Sequence, residues 1–200
     1  MVAWIMVNKH TITGVILAGG LARRMQQQDK GLVLFKQQAM IQYAIDALSP
    51  VVECLLINAN RNIDDYQRFN YPVISDDNND FAGPLAGIYA ALCHCQHQQL
   101  IVIPCDSPFI RSDSLRYFIT QHQQSTANIS VASDGERLHP VFLVLNTALK
   151  TSLKAYLDSG ERKIDSWFQQ HHYQAVDFSD SPELFTNINT LEQLETLSHD

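Results

Sequence analysis

The stretch Ile12-Thr13-Gly14-Val15-Ile16-Leu17-Ala18-Gly19-Gly20 decides the architecture. It is a short apolar run, rich in β-branched residues, closed by two glycines. Such a run reads as a strand covered on both faces. Comparable runs recur at 51–59 (VVECLLINA), 72–75 and 100–104 (LIVIP). Helical spacing fills the gaps between them. Ile41, Ala44, Ile45 and Leu48 share one face of a helix over 40–48 that stops before Pro50, and Pro84 suits the first turn of a helix over 84–95. Further on, the pattern predicts a helix over 112–122 and strands over 129–132 and 138–145 around an Asp134-Gly135 turn. It also predicts helices near 147–158 and 163–170, a strand near 175–178 and a last helix from Thr190. Near-continuous apolar strands alternating with helices predict an α/β fold: a single-domain, doubly wound, mostly parallel sheet with helices on both faces.

The chain has 200 residues, enough for one ordinary domain that buries roughly 70% of its surface. We expect one domain over 11–200, preceded by a loosely attached extension at 1–10. Fourteen basic residues against 21 acidic ones give a net charge of −7, which argues against a general binder of nucleic acid or anionic membrane. A hydrophobic content of 46% with 18% charged residues excludes disorder. Cysteines at 54, 93, 95 and 105 lie in or beside apolar runs and read as reduced thiols of a cytoplasmic protein. Val2 to Val7 lacks a preceding basic region and a following cleavage pattern, so no signal peptide is expected, and no apolar run is long enough to span a membrane.

In doubly wound sheets ligands sit outside the carboxyl ends of the strands. After the first strand, Gly19 and Gly20 permit close backbone approach, and Arg23, Arg24 and Lys30 gather positive charge. This suits a phosphate-binding loop, or simply a tight turn with solvated basic residues. Neither GxxxxGK[ST] nor GxGxxG is present. After the second strand, Asn58 offers donors and an acceptor to a base edge, or closes a turn. After the third, Asp76 begins an acidic run, and Gly83-Pro84-Leu85-Ala86-Gly87 opens a helix whose amino end faces the same edge. After the fourth, Asp106 stands between Pro104 and Pro108, placed to hold Mg²⁺ or to cap a turn. Together these features suit a nucleoside triphosphate with bound Mg²⁺. Cys93-His94-Cys95-Gln96-His97 lacks zinc spacing, because Cys93 and Cys95 diverge on a helix. No Gly-x-Ser-x-Gly elbow is present.

The run from Thr13 to Gly20, with Arg24-Met25 and Asp29-Lys30, resembles the opening motif of the GT-A-like nucleotidyltransferases, a Rossmann-like fold. Within them the chain resembles the molybdenum cofactor guanylyltransferase family. The likeness extends through Asn58-Ala59-Asn60-Arg61, Gly83 to Gly87, Pro104 to Pro108 and Asp134 to Arg137 with His139-Pro140. It continues through Gly160-Glu161-Arg162 and Asn187-Ile188-Asn189-Thr190, and so covers 12 to about 195 in family order. The resemblance implies transfer of GMP from GTP to molybdopterin-bound molybdenum, with Mg²⁺ as cofactor. It implies that Leu17, Ala18, Gly19, Gly20, Lys30, Asn58, Asp76, Gly83 and Asp106 bind GTP. Asp106 would also hold the metal, and Arg24, Lys30 and Asp106 would be catalytic. Gly87, Arg162, Asn187 and Asn189 match the pterin side. The product would pass to cofactor-insertion or molybdoenzyme-maturation proteins. An already anionic phosphate nucleophile needs no strong base, so no catalytic histidine is assigned and His139 reads as structural.

Two departures stand out. Gln26-Gln27-Gln28 occupies a place where the family usually has a glycine, and Lys36-Gln37-Gln38-Ala39 replaces a usual Gly-Lys-Pro stretch. Two rival readings share the scaffold: a cytidylyltransferase, which more usually shows Ala-Ala-Gly where this chain has Ala18-Gly19-Gly20, and a sugar-phosphate nucleotidyltransferase. A rival of another class is a non-catalytic nucleotide or pterin carrier, which has no use for a metal-binding carboxylate.

Overall fold

Strand β1 (Ile12–Leu17) runs parallel between β4 (Cys54–Asn58) and β6 (Gln99–Pro104). The computed structural model describes residues 12–18, 29–76 and 83–199. The expected extension at 1–10 lies outside them. With β5 (Val73–Ile74), β7 (Ile129–Ser133), β8 (Leu138–Asn146) and β9 (Tyr173–Asp177), the main sheet has the order β5-β4-β1-β6-β8-β7-β9. Four pairings are parallel; β8 is antiparallel to both β6 and β7. The sheet is therefore mostly parallel, as the apolar runs predict. The chain steps outward from β1 to β4 and β5, then returns to the other side of β1 as β6. That reversal creates a crevice at the carboxyl ends of the strands.

Burial on both faces explains the apolar runs. On one face Ile12, Ile16, Ile57, Ile101 and Ile103 pack with Ile41 and Leu48 of α1 (Met40–Leu48) and with Leu115, Phe118 and Ile119 of α4 (Ser112–Gln123). On the other, Val15, Leu56, Leu100 and Val102 pack with α3 (Pro84–His94), α5 (Lys150–Asp158) and α6 (Ile164–Phe168). Trp167 and Phe168 of α6 are fully buried there. A final helix, α7, spans Leu191–His199. No helix among the described residues is long and apolar enough to cross a membrane.

The predicted elements are found, with differences at their ends and with additions. The strand expected from Val51 begins at Cys54, because Val51 and Val52 bury their side chains from a turn instead of a ladder. The helix α2 (Ile63–Gln67) was not expected; it is one short turn entered from Asn62 in the left-handed region. A hairpin of β2 (Leu34–Phe35) and β3 (Gln38–Ala39) was also not expected. Its turn residues, Lys36 and Gln37, have φ of 44° and 69°. Such turns favour glycine or asparagine, so this chain accepts strain here, and shows no turn signal in its sequence.

His122 is 2% exposed and sits between Ser130 Oγ (Nδ1, 2.8 Å) and Asn146 Oδ1 (Nε2, 3.3 Å). Burial lowers its pKa, with the Asn146 contact opposing. The folded protein therefore binds fewer protons here than the unfolded chain, and stability must rise with pH through the histidine range. We expect the wild-type melting temperature to fall between about pH 7.5 and 5.5, and to fall less in His122→Gln. A matching slope in the variant would show that other groups carry the dependence.

Candidate functional site

The register of β1 builds the site. Leu17 lies opposite Asn58 on one side and Pro104 on the other, so three strand ends finish level. The ladder continues one step further: Ala18 N–H donates to Asn58 O (2.8 Å) and Cys105 N–H to Leu17 O (3.2 Å). The Tyr66 hydroxyl oxygen lies 3.3 Å from Ala18 O. The Leu17 carbonyl is thus already engaged, so a ligand reaches it only through a second lone pair. Gly19, Gly20 and Arg24 lie outside the described residues.

Lys30 and Asp106 meet across the crevice. Lys30 Nζ donates to Asp106 Oδ2 at 2.9 Å and also to Asn189 Oδ1. The side chains are 20% and 11% exposed, so the pair is partly open to the cleft. Asp106 Oδ1 is buried and has no hydrogen-bond partner among the described residues. A buried carboxylate oxygen left bare is costly unless something binds it, and a hard cation is the natural ligand. Among the described residues no three His, Cys, Asp or Glu side chains are grouped to hold a metal. A cation here would rest on Asp106 and on ligand oxygens, which suits Mg²⁺ on a phosphate chain. The Cys105 thiol, buried beside Asp106, is pushed well up in pKa by desolvation and stays protonated.

A strap from the far end of the chain closes one side. Ile188 is fully buried against Val33, Phe35 and Met40, which leaves Asn187 and Asn189 flanking it. Ile188 N–H donates to Asp106 O (3.0 Å) and Ser107 Oγ donates to Asn187 Oδ1 (2.5 Å). The unexpected hairpin thus has a use: Phe35 forms part of the seat for this strap. Beside it opens a cleft of about 470 Å³ lined by Pro104, Arg137, His139, Phe185, Asn187, Asn189 and Gln193. His139 stacks on Phe185 with ring centroids 4.3 Å apart, and its Nε2 lies 2.7 Å from Asp134 Oδ2. The Arg137 backbone N–H, then the His139 contact, hold the Asp134 carboxyl well below the usual range, so it is an anion near neutral pH. Arg137 was read only as part of the family likeness and given no role, and Phe185 and Gln193 escaped the sequence reading because nothing local marks them. A larger hollow, about 540 Å³ between α5 and α6, has no Lys or Arg in its lining and does not suit a polyanion.

On the other side, Asn58 Nδ2 donates to Asp76 Oδ1 (2.9 Å) and Asn60 Nδ2 to Asp76 Oδ2 (2.8 Å). Asn58 and Asp76 thus form one unit. Gly83, with φ of 110°, precedes α3, whose first residue is Pro84. Gly87, matched to the pterin side by sequence, is placed under Asn58: a Cβ there would stand 2.2 Å from Asn58 Oδ1 and 3.0 Å from Leu17 Cδ2. Arg162 Nη1 donates to the Leu157 (2.9 Å) and Glu161 (2.7 Å) carbonyls at the end of α5. The structure therefore unites Lys30, Asp106, Asn187 and Asn189, and separately Asn58, Asp76 and Gly87.

A bare carboxylate oxygen beside a lysine, at the switch point of a doubly wound sheet, suits a phosphorylated ligand with a bound cation. Comparison with known proteins narrows this. The model for the MobA-like NTP transferase domain matches residues 14–176, and the chain belongs to that family. It is 49% identical over 188 residues to the molybdenum cofactor guanylyltransferase of Shewanella piezotolerans, covering 94% of this chain and 92% of that protein. It is also 49% identical to that of Shewanella loihica, with 94% and 95% covered. The crystal structure of molybdopterin-guanine dinucleotide biosynthesis protein A from Archaeoglobus fulgidus shares the fold, with a TM-score of 0.80 at 19% identity over 94% of this chain and 97% of that one. So does 4-diphosphocytidyl-2C-methyl-D-erythritol synthase from Anaerococcus prevotii, with a TM-score of 0.75 at 11% identity over 97% of each chain.

Gly87→Ala tests the packing under Asn58. Alanine is the better helix former by about 1 kcal/mol, yet the clash predicts a net loss of about 1–3 kcal/mol. In an Asn58→Ala background the loss should shrink to less than half, with only the Leu17 contact left. Urea denaturation of the four proteins checks this, and additive losses would show that the two residues do not interact.

Proposed function

We propose that this protein transfers GMP from GTP to molybdopterin-bound molybdenum, giving the guanine dinucleotide form of the cofactor and pyrophosphate. The observation that carries the reading is the Lys30–Asp106 pair, with Asp106 Oδ1 bare beside it. Asp106 would hold Mg²⁺, which when bound neutralises charge on the triphosphate. Lys30 uses two of its three N–H donors on Asp106 and Asn189, which leaves one for a phosphate oxygen. Arg24 and the Gly19-Gly20 amides would add donors for the same groups. Asn58 and Asp76 would meet the nucleoside, with Gly83 at the cleft edge. The cleft beside Asn187 and Asn189 would take the phosphorylated pterin; about 470 Å³ is ample for a small ligand.

The reaction asks little covalent help of the protein. An acceptor phosphate oxygen attacks the α-phosphorus in line while pyrophosphate leaves on the opposite side. A phosphate monoester with a second pKa near about 6 is already largely ionised, so no strong base is needed. The residues act by holding the two phosphates in line and by meeting developing charge with fixed donors. We place the reaction in the cytoplasm, where four free thiols remain reduced. Delivery to a molybdoenzyme would require a further protein partner.

Two outcomes test this reading. Asp106→Ala should lower pyrophosphate release from GTP, Mg²⁺ and molybdopterin by at least about 10³-fold. Near wild-type turnover would remove Asp106 from the metal site. In calorimetry, GTP should bind more tightly than CTP or ATP, and equal or tighter CTP binding would move the protein to a cytidylyl-transferring role on the same fold.

A further inference from the structure

The mechanism above leaves one buried carboxylate without a role. Asp29 directly precedes Lys30 and is 5% exposed. Its carboxylate accepts from the Tyr66 hydroxyl through Oδ1 and from Asn62 Nδ2 at 3.3 Å through Oδ2. Tyr66, on α2, is fully buried. The same hydroxyl lies 3.3 Å from Ala18 O, one residue beyond β1. The phenol gives its one proton to Asp29 at the closer contact and lies against the end of β1, so it sits between that end and the chain that begins Lys30.

The sequence Asp29-Lys30-Gly31 fits this arrangement at each position. Asp29 O accepts from Leu32 N–H at 3.0 Å and opens the short 3-10 turn Lys30–Leu32. Lys30 reaches Asp106 and Asn189 from that turn. Gly31 makes room, because a Cβ there would stand 2.5 Å from the phenol oxygen. Burial, then Cys105, then Asp29 itself push the Tyr66 hydroxyl far up in pKa, so it remains a donor. An aromatic residue without a hydroxyl would fill the space, but would leave a buried carboxylate short of a donor.

Resting on the reading of Lys30 as a phosphate-binding residue, we propose that Tyr66 is a positioning residue for it. By holding Asp29 against the end of β1, Tyr66 fixes the turn from which the Lys30 ammonium meets Asp106 and the nucleotide. The role is indirect: Tyr66 touches the lysine's main-chain neighbour and not the reacting atoms.

The test uses Tyr66→Phe in the full chain, with pyrophosphate release measured against GTP concentration and amide hydrogen exchange measured in parallel. The expected result is a fall in kcat/KM for GTP of at least about fivefold, with exchange raised in 29–33 and unchanged in β4 and α3. A smaller fall overturns the proposal, as does raised exchange throughout β1, β4 and α3, which marks general loosening. Asp29→Asn, which keeps an acceptor for the phenol, should retain most of the activity that Asp29→Ala loses. Equal loss in the two overturns the proposal, and this pair serves if Tyr66→Phe fails to fold. Lys30→Ala separates the two levels. If it leaves kcat/KM for GTP unchanged, the reading of Lys30 falls and the proposal with it. If it is impaired while Tyr66→Phe is not, the proposal alone falls.

Discussion

Strand β1 is hydrogen-bonded on both edges and covered by apolar side chains on both faces, and every other feature is arranged around that enclosure. A strand so placed cannot end just anywhere. Its partners on each side must finish with it, so Leu17 stands level with Asn58 and Pro104. Covering both faces calls for α1 and α4 on one side and α3, α5 and α6 on the other. The strand ends are then the region where backbone groups and polar side chains leave the apolar layers together. The crevice follows from the packing.

Polar groups at that edge are held by pairs that satisfy one another. Asn58 and Asn60 bond Asp76, Tyr66 and Asn62 bond Asp29, and Lys30 bonds Asp106 and Asn189. Against this background the bare Asp106 Oδ1 is conspicuous, because a buried carboxylate oxygen in such a setting is normally bonded. The net charge of −7 acquires a narrower meaning in consequence. It weighs against large polyanions, yet the crevice gathers a lysine, side-chain amides and a bare carboxylate oxygen in one place. Charge summed over the chain says little about potential inside one crevice.

Much of this was legible beforehand, for a physical reason. Apolar runs at 12–18 and 100–104, and the 3.6-residue spacing at 40–48, reflect burial that each segment must satisfy, so the helix Met40–Leu48 and the central strands were readable locally. The hairpin at 34–39 was not, because Lys36 and Gln37 hold left-handed conformations that carry no sequence signal. Nor was α2 readable, a five-residue helix set by its contacts and not by periodicity. At the site, Lys30, Asn58, Asp76 and Asp106 could be named from their positions after strand ends. Tyr66 could not, since its role lies in a bond to a residue 37 positions away.

By itself the sequence determined the fold class, the strands whose ends carry chemistry, and the charged and amide residues available there. These depend on periodicity and neighbours, which a linear chain records. The tertiary structure decided which of those residues act together. It put Gly87 beneath Asn58 and seated Ile188 so that its two asparagines flank the Lys30–Asp106 pair. Such groupings depend on contacts between segments up to 159 residues apart. They come into being only when the core closes, because a side chain's partner is fixed by packing and not by its place in the chain.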